Sequence, residues 1–309
     1  GHSMGGHITA AAIEKEALDT AQNKVRYAGA VPMCGVVGDT TLFSYFAAYQ
    51  YAAEQLAGLG PSKTAEGFMG IKMQLRDALY TMYPTATTPT GDKLRTVVEN
   101  LTGGARPNFA LGFAAMQWQD AVWSTFGGDG TVNGILAKPV TDTRDIVYQL
   151  DADPAQSAEE KQLNANVYRA EPAPDANPLQ PQGLRWVPVV NAEFDIPVVA
   201  IHTLGDLYVP FKMEQLYRQR AQAKGTSDRL VQRAIRGTGH CEFTLAEQVA
   251  AFEAMVRWEQ EGVKPEGDDV LDAEKLRAPD YGCKFTVNTF TDAEMNTVAK
   301  ARMAVPACP

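Results

Sequence analysis

At 309 residues, with 45% apolar and 21% charged residues, 18 prolines and 26 glycines, the chain has the balance of a globular protein that can bury one large core or two modest ones. No window approaches the ~18 consecutive apolar residues of a membrane span, and the composition excludes collagen-like, coiled-coil and wholly disordered chains. The net charge of −9 comes without any Lys/Arg cluster interleaved with aromatics, so nucleic-acid binding has no footing.

The first residues, Gly1-His2-Ser3-Met4-Gly5-Gly6, spell G-x-S-x-G and run directly into Ile8, Thr9, Ala10, Ala11, Ala12 and Ile13, a stretch with good helix potential. This is the form of a nucleophile elbow, where a strand turns so sharply into a helix that only small residues fit beside the serine. The serine then sits at a helix N-terminus, where backbone N–H groups and the helix dipole favour a developing oxyanion. The strand expected before Ser3 lies outside the sequence. The chain is therefore expected to be the C-terminal part of a longer protein, with the N-terminal segment of that protein as its partner.

Residues 25–37 (VRYAGAVPMCGVV) are mostly apolar and β-prone, which predicts a buried parallel strand ending near Pro32. Helical spacing follows over 41–59. From 60 to 188 the strand and helix alternation stops, and helices are expected over 65–83, 91–101, 108–125 and 158–168, separated by PTATTPTGD and GGDGTVNG. The alternation returns with a strand at 196–203 (IPVVAIHT), a helix at 211–223 and a strand at 230–235 (LVQRAI). Thr244-Leu245-Ala246-Glu247 is a capping box opening a last helix to about Gly262. This pattern divides the chain into a core at 1–59, a helical insert at 60–188, a second core segment at 189–262 and an extension at 263–309.

An acid and a histidine that are to meet Ser3 must follow late strands, so that all three reach the same carboxyl edge of the sheet. Asp206 follows the strand at 196–203, and His240, in GTGHCEF, follows the strand at 230–235. Asp195 is a rival acid, but it precedes its strand. His2 lies within the elbow, His7 on the first helix and His202 within a strand, and the four histidines show no metal-ligand spacing. Neither a metal nor another cofactor is expected. Asp129 sits in a calcium-loop-like fragment whose acidic spacing is wrong for an ion.

These three motifs, in the order Ser, Asp, His, resemble the α/β-hydrolase family in its lid-bearing serine esterase and lipase-like branch. The resemblance covers roughly residues 1–59 and 190–262. It implies an α/β-hydrolase fold, entered at the nucleophile elbow and carrying a helical cap. It also implies Ser3 as nucleophile, His240 as general base and then acid, Asp206 as the orienting carboxylate and the N–H of Met4 as an oxyanion donor. The implied activity is hydrolysis of small-molecule or lipid-like carboxylic esters. A serine exopeptidase on the same fold and a non-catalytic hydrolase-like binding protein are the rival readings. In the cap, Met116, Trp118 and Trp123, with Tyr80, Tyr83, Phe109 and Phe113, offer side chains for a substrate pocket, as does His2 in the elbow. Most of the cap aromatics are expected to hold the cap together.

Cys34, Cys241, Cys283 and Cys308 are too widely spaced for a C-x-x-C motif and leave free thiols or up to two disulfides. Cys283 and Cys308 bracket a short C-terminal loop whose closure contributes on the order of 3 kcal/mol, which points to a secreted or periplasmic protein. Cys34 and Cys241 both follow strands at the same sheet edge; a bridge there would tether the His240 loop, and two buried thiols are the equal alternative.

Overall fold

The computed structural model describes residues 1–115 and 138–309. They divide into two compact units. The first comprises Gly1–Asp39, Arg106–Gly112 and Leu179–Pro309, and the second Thr40–Ala105 and Phe113–Pro178. The helix Thr41–Leu56 thus falls in the second unit, and a short piece of the expected insert, Arg106–Gly112, belongs to the first.

The first unit is mixed α/β and built on a small parallel sheet. Val198–Thr203 is buried along its whole length and pairs in parallel with Leu230–Ile235, from Val198 opposite Leu230 to Thr203 opposite Ile235. Residues 25–37, expected as a continuous strand, instead contribute isolated parallel bridges at Ala30 and Met33. The reason is Pro32. Ala30 N–H donates to Pro197, and Cys34 N–H donates to the Ile201 carbonyl. The donor between them on that side is missing because proline has no N–H, so the ladder breaks while the chain stays extended. On the other side, Met33 N–H donates to the Gly1 carbonyl and Ser3 N–H to the Met33 carbonyl, which carries the sheet out to residues 1–3.

Helices cover this sheet because their apolar faces match it. Val31, Met33, Val199, Ile201, Val231 and Ile235 pack with Phe243, Ala251, Met255 and Trp258 of the segment around Leu245–Glu261. That helix starts at the predicted capping box, with Thr244 and Glu247 bonding each other's backbone N–H, and stops at Gly262 in the left-handed conformation. The helix Lys212–Lys224 ends likewise at Gly225.

The second unit is mainly helical. Thr41–Leu56, Ala65–Leu79, Pro89–Leu101 and Ala158–Asn166 are its principal helices. The expected helix at 65–83 is cut short, because Tyr80–Met82 turns into an antiparallel pairing with Ala86–Thr87. The Thr88 hydroxyl then accepts from Gly91 N–H and starts the next helix, with Pro89 in its first turn. Gly91 is required there, since a Cβ would lie 1.8 Å from the Leu79 carbonyl oxygen. The helix expected at 108–125 is seen as Phe109–Phe113, which ends in a turn at Ala114, and positions 116–125 lie outside the described residues.

The C-terminal stretch is ordered against the first unit. Cys283 and Cys308 form a disulfide, Asp268 accepts from Ala234 N–H, and the Arg302 guanidinium is buried against the Glu247 carboxylate at 3.0 Å. Removing one member of such a buried pair strands the other charge. Arg302→Met is therefore expected to lower the unfolding free energy by about 3–5 kcal/mol in urea titration. Lys275→Ala, which breaks only exposed pairs, should leave the urea midpoint unchanged.

Candidate active site

Parallel pairing delivers four chain segments to one sheet edge: Ser3 after the bridge at His2, Cys34 after 30–33, Asp206 after Val198–Thr203, and His240 after Leu230–Ile235. Ser3 has φ 55° and ψ −119°, a conformation that a non-glycine residue adopts at a cost of about 1–3 kcal/mol. It precedes the helix Met4–Ala11, whose first N–H groups have no intrahelical acceptor. The small residues around it have separate reasons. A Cβ on Gly1 would lie 2.6 Å from the Gly5 carbonyl oxygen, and one on Gly6 would lie 2.7 Å from both Gly35 Cα and the Met33 carbonyl oxygen. Gly5 itself has open space.

Ser3, Asp206 and His240 stand together. Ser3 Oγ is 2.7 Å from His240 Nε2, and His240 Nδ1 is 2.6 Å from Asp206 Oδ2. Asp206 is fully buried, and its Oδ1 accepts from the N–H groups of Tyr208 and Val209, each at 2.9 Å. With Nδ1–H committed to the carboxylate, Nε2 is left as the acceptor for the serine hydroxyl. Such a relay can take a proton from Ser3 as its oxygen attacks an electrophile and hold the resulting imidazolium beside Asp206.

The loop that carries His240 is held from several directions. Glu242 accepts from the N–H groups of Thr238 and Gly239, the Thr203 hydroxyl donates to the Gly239 carbonyl, and the Tyr208 ring stands edge-on to the imidazole at 5.6 Å. Arg302 donates to the Glu242 carbonyl at 2.6 Å. Arg106 donates to the Leu204 carbonyl, and Gly205 lies so close to the histidine loop that a Cβ would be 2.8 Å from Thr238 Cα. Cys34 and Cys241 form a disulfide, which covalently joins the residue after His240 to the segment beside Ser3. Both cysteines have positive φ, 42° and 58°, so the positive-φ residues Ser3, Cys34 and Cys241 gather at this edge.

Met4 opens the first helix next to Ser3. His2 bridges Met33, with its ring 6.1 Å from that of Phe243. Met116, Trp118, Trp123 and Asp129 lie outside the described residues. His7 is buried with Nε2 on the Pro188 carbonyl. Among the described residues, Cys34, His240 and Cys241 bring ligand atoms within 4.8 Å of one another, but the two sulfurs are bonded together and present no thiolate. Sequence reasoning passed over Tyr208 and Glu242, whose contacts depend on the tertiary fold. The acidic residue two after His240 was the available signal for Glu242.

No protein-family model matches the chain. Over 78 residues, 25% of the chain, it is 33% identical to an o-phthalyl amidase from Xanthobacter agilis, and that stretch is 17% of the amidase. Among solved structures, feruloyl esterase B from Aspergillus oryzae aligns over 86% of this chain and 60% of its own length, with 15% identity and a TM-score of 0.40. Both proteins are thus matched over less than two thirds of their length.

Close packing at the elbow and the acid loop gives a direct test. Gly6→Ala and Gly205→Ala are each expected to destabilise the protein by about 1–3 kcal/mol in urea titration, as overpacked sites do. Gly5→Ala, in open space within a helix, should be neutral or stabilising by up to about 1 kcal/mol.

Proposed function

We propose that the chain is a serine hydrolase of the α/β-hydrolase family that cleaves carboxylic esters through an acyl-enzyme on Ser3. The observation that carries this reading is the continuous Ser3–His240–Asp206 hydrogen-bond relay mounted on a strained turn at a helix N-terminus. Ser3 Oγ attacks the acyl carbon while its proton passes to His240 Nε2. The oxyanion that forms is stabilised by the Met4 N–H, and the imidazolium by Asp206. His240 then returns the proton to the departing alcohol. Water repeats the sequence in the second half-reaction: its proton goes to Nε2, its oxygen to the acyl carbon, and the proton back to Ser3 Oγ as the carboxylic acid leaves. The two disulfides support the reading of a secreted or periplasmic protein, since such bonds persist in oxidising compartments, and among the described residues no helix is long and apolar enough to cross a membrane.

A second reading, hydrolysis of amides, is favoured by the stretch that is 33% identical to a protein named as an amidase. The same relay serves both, with protonation of the leaving nitrogen by His240 becoming the demanding step.

Steady-state hydrolysis of p-nitrophenyl butyrate and of the matching p-nitroanilide separates these readings. The ester is expected to turn over faster than the anilide, with kcat falling about 10⁴-fold or more in Ser3→Ala and His240→Ala. Turnover that survives Ser3→Ala would rule out the assignment, and an anilide rate above the ester rate would favour the amidase reading.

A further inference from the structure

A second histidine, which the proposed reaction does not use, lies beneath Asp206. His202 is fully buried in the strand Val198–Thr203. Both of its ring nitrogens face acceptors: Nε2 is 2.8 Å from the Val209 carbonyl oxygen and Nδ1 is 3.2 Å from Glu214 Oε1. A neutral imidazole has one N–H and cannot donate to both, whereas an imidazolium has two. Glu214 also accepts at its other oxygen: Gln232 donates to Oε2 at 2.6 Å, and Arg218 Nε donates to Gln232 Oε1 at 2.9 Å. The Phe211 ring stands edge-on to His202 at 6.1 Å. Tyr217, Tyr281 and Arg218 are the other titratable groups that feel the Glu214 charge. Burial opposes a charge on His202, but Glu214 and then Asp206 outweigh it and hold the ring above its ordinary pKa of 6.5.

Val209 joins this pair to the site. Its N–H donates to Asp206 Oδ1 at 2.9 Å while its carbonyl accepts from His202, and His202 Nε2 itself lies 3.6 Å from Asp206 Oδ2. We propose that His202 is a positioning residue: as an imidazolium locked between Glu214 and the Val209 carbonyl, it fixes the 206–209 turn so that Asp206 presents Oδ2 to His240. A folded-state pKa above the unfolded value means that the contribution of His202 is complete below about pH 6.5 and is lost as pH rises through the raised value, so the support fails on the alkaline side.

The assignment rests on the hydrolase reading for its catalytic consequence, but its geometry is measurable without turnover. In the ¹⁵N-labelled 309-residue chain, the downfield Nδ1–H proton of His240 reports its bond to Asp206, and long-range ¹H–¹⁵N spectra report whether both His202 nitrogens carry protons. Two protonated nitrogens on His202 at pH 6 are expected, with the His240 signal lost or strongly shifted in His202→Gln. The milder Glu214→Gln, which keeps the ring and its volume, should weaken the same signal and serves if His202→Gln does not fold. In kinetics normalised to fluorophosphonate-titrated sites, His202→Gln is expected to lower kcat about 10- to 100-fold with KM within about twofold, the range found when the hydrogen-bond partner that orients a metal-ligating imidazole is removed. Its residual activity should lack the wild-type alkaline fall. A singly protonated His202 at pH 6, or an unchanged His240 signal in the folded variants, would overturn the proposal. Absence of Ser3 labelling in the wild type would overturn the hydrolase reading, while the protonation state of His202 read from the spectra would still stand on its own.

Discussion

The Asp206 carboxylate has no contact with solvent, and the arrangement of the sheet edge follows from that. A buried carboxylate without matched donors costs several kcal/mol, so the chain must supply in fixed positions what water would otherwise provide. Two donors come from the turn that follows, Tyr208 and Val209 N–H, and a third from His240 Nδ1. The turn can close this tightly because Gly205 lets the histidine loop approach its backbone, and because Val198–Thr203 and Leu230–Ile235 run parallel in register and end together. Ser3 arrives at the same edge through its pairing with Met33. The fold itself thus holds the carboxylate, the imidazole and the hydroxyl in one hydrogen-bonded line.

What keeps the line straight comes from distant parts of the chain. The Cys34–Cys241 disulfide spans 207 residues and binds the end of one loop to the start of another. Arg302, near the C-terminus, reaches the Glu242 carbonyl while its charge is neutralised on Glu247, and Arg106 reaches the Leu204 carbonyl next to the acid turn. Positive φ at Ser3, Cys34 and Cys241 is tolerable only when neighbouring contacts over-determine the backbone in this way.

The sequence shows best what is local. The glycines around Ser3, the capping box at Thr244, the glycine stops at Gly225 and Gly262, and the alternation of 196–203, 211–223 and 230–235 all express short-range sterics and hydrogen bonding, and each can be read within a few residues. Motif order singles out Ser3, Asp206 and His240, and in the structure these three side chains lie within hydrogen-bonding distance of one another in turn. Less legible were features set by partners far away. Pro32 stands in an apolar run that reads as strand, and only the identity of its neighbour shows which ladder bond it removes. Helical patterning at 65–83 continues past the point where Tyr80 pairs with Thr87. His202 reads as an ordinary strand residue because Glu214 and Val209, which give it two acceptors, lie on separate elements. Arg106–Gly112 carries no mark of belonging to the first unit.

The role of Ser3 is tested most directly by the intact mass of the purified protein before and after a fluorophosphonate probe, followed by mapping of the adduct. One covalent adduct, on the peptide containing Ser3 and absent from Ser3→Ala and His240→Ala, is the predicted result. A protein that stays unlabelled while fully folded, or that carries the adduct on another serine, would contradict the assignment of Ser3 as the nucleophile.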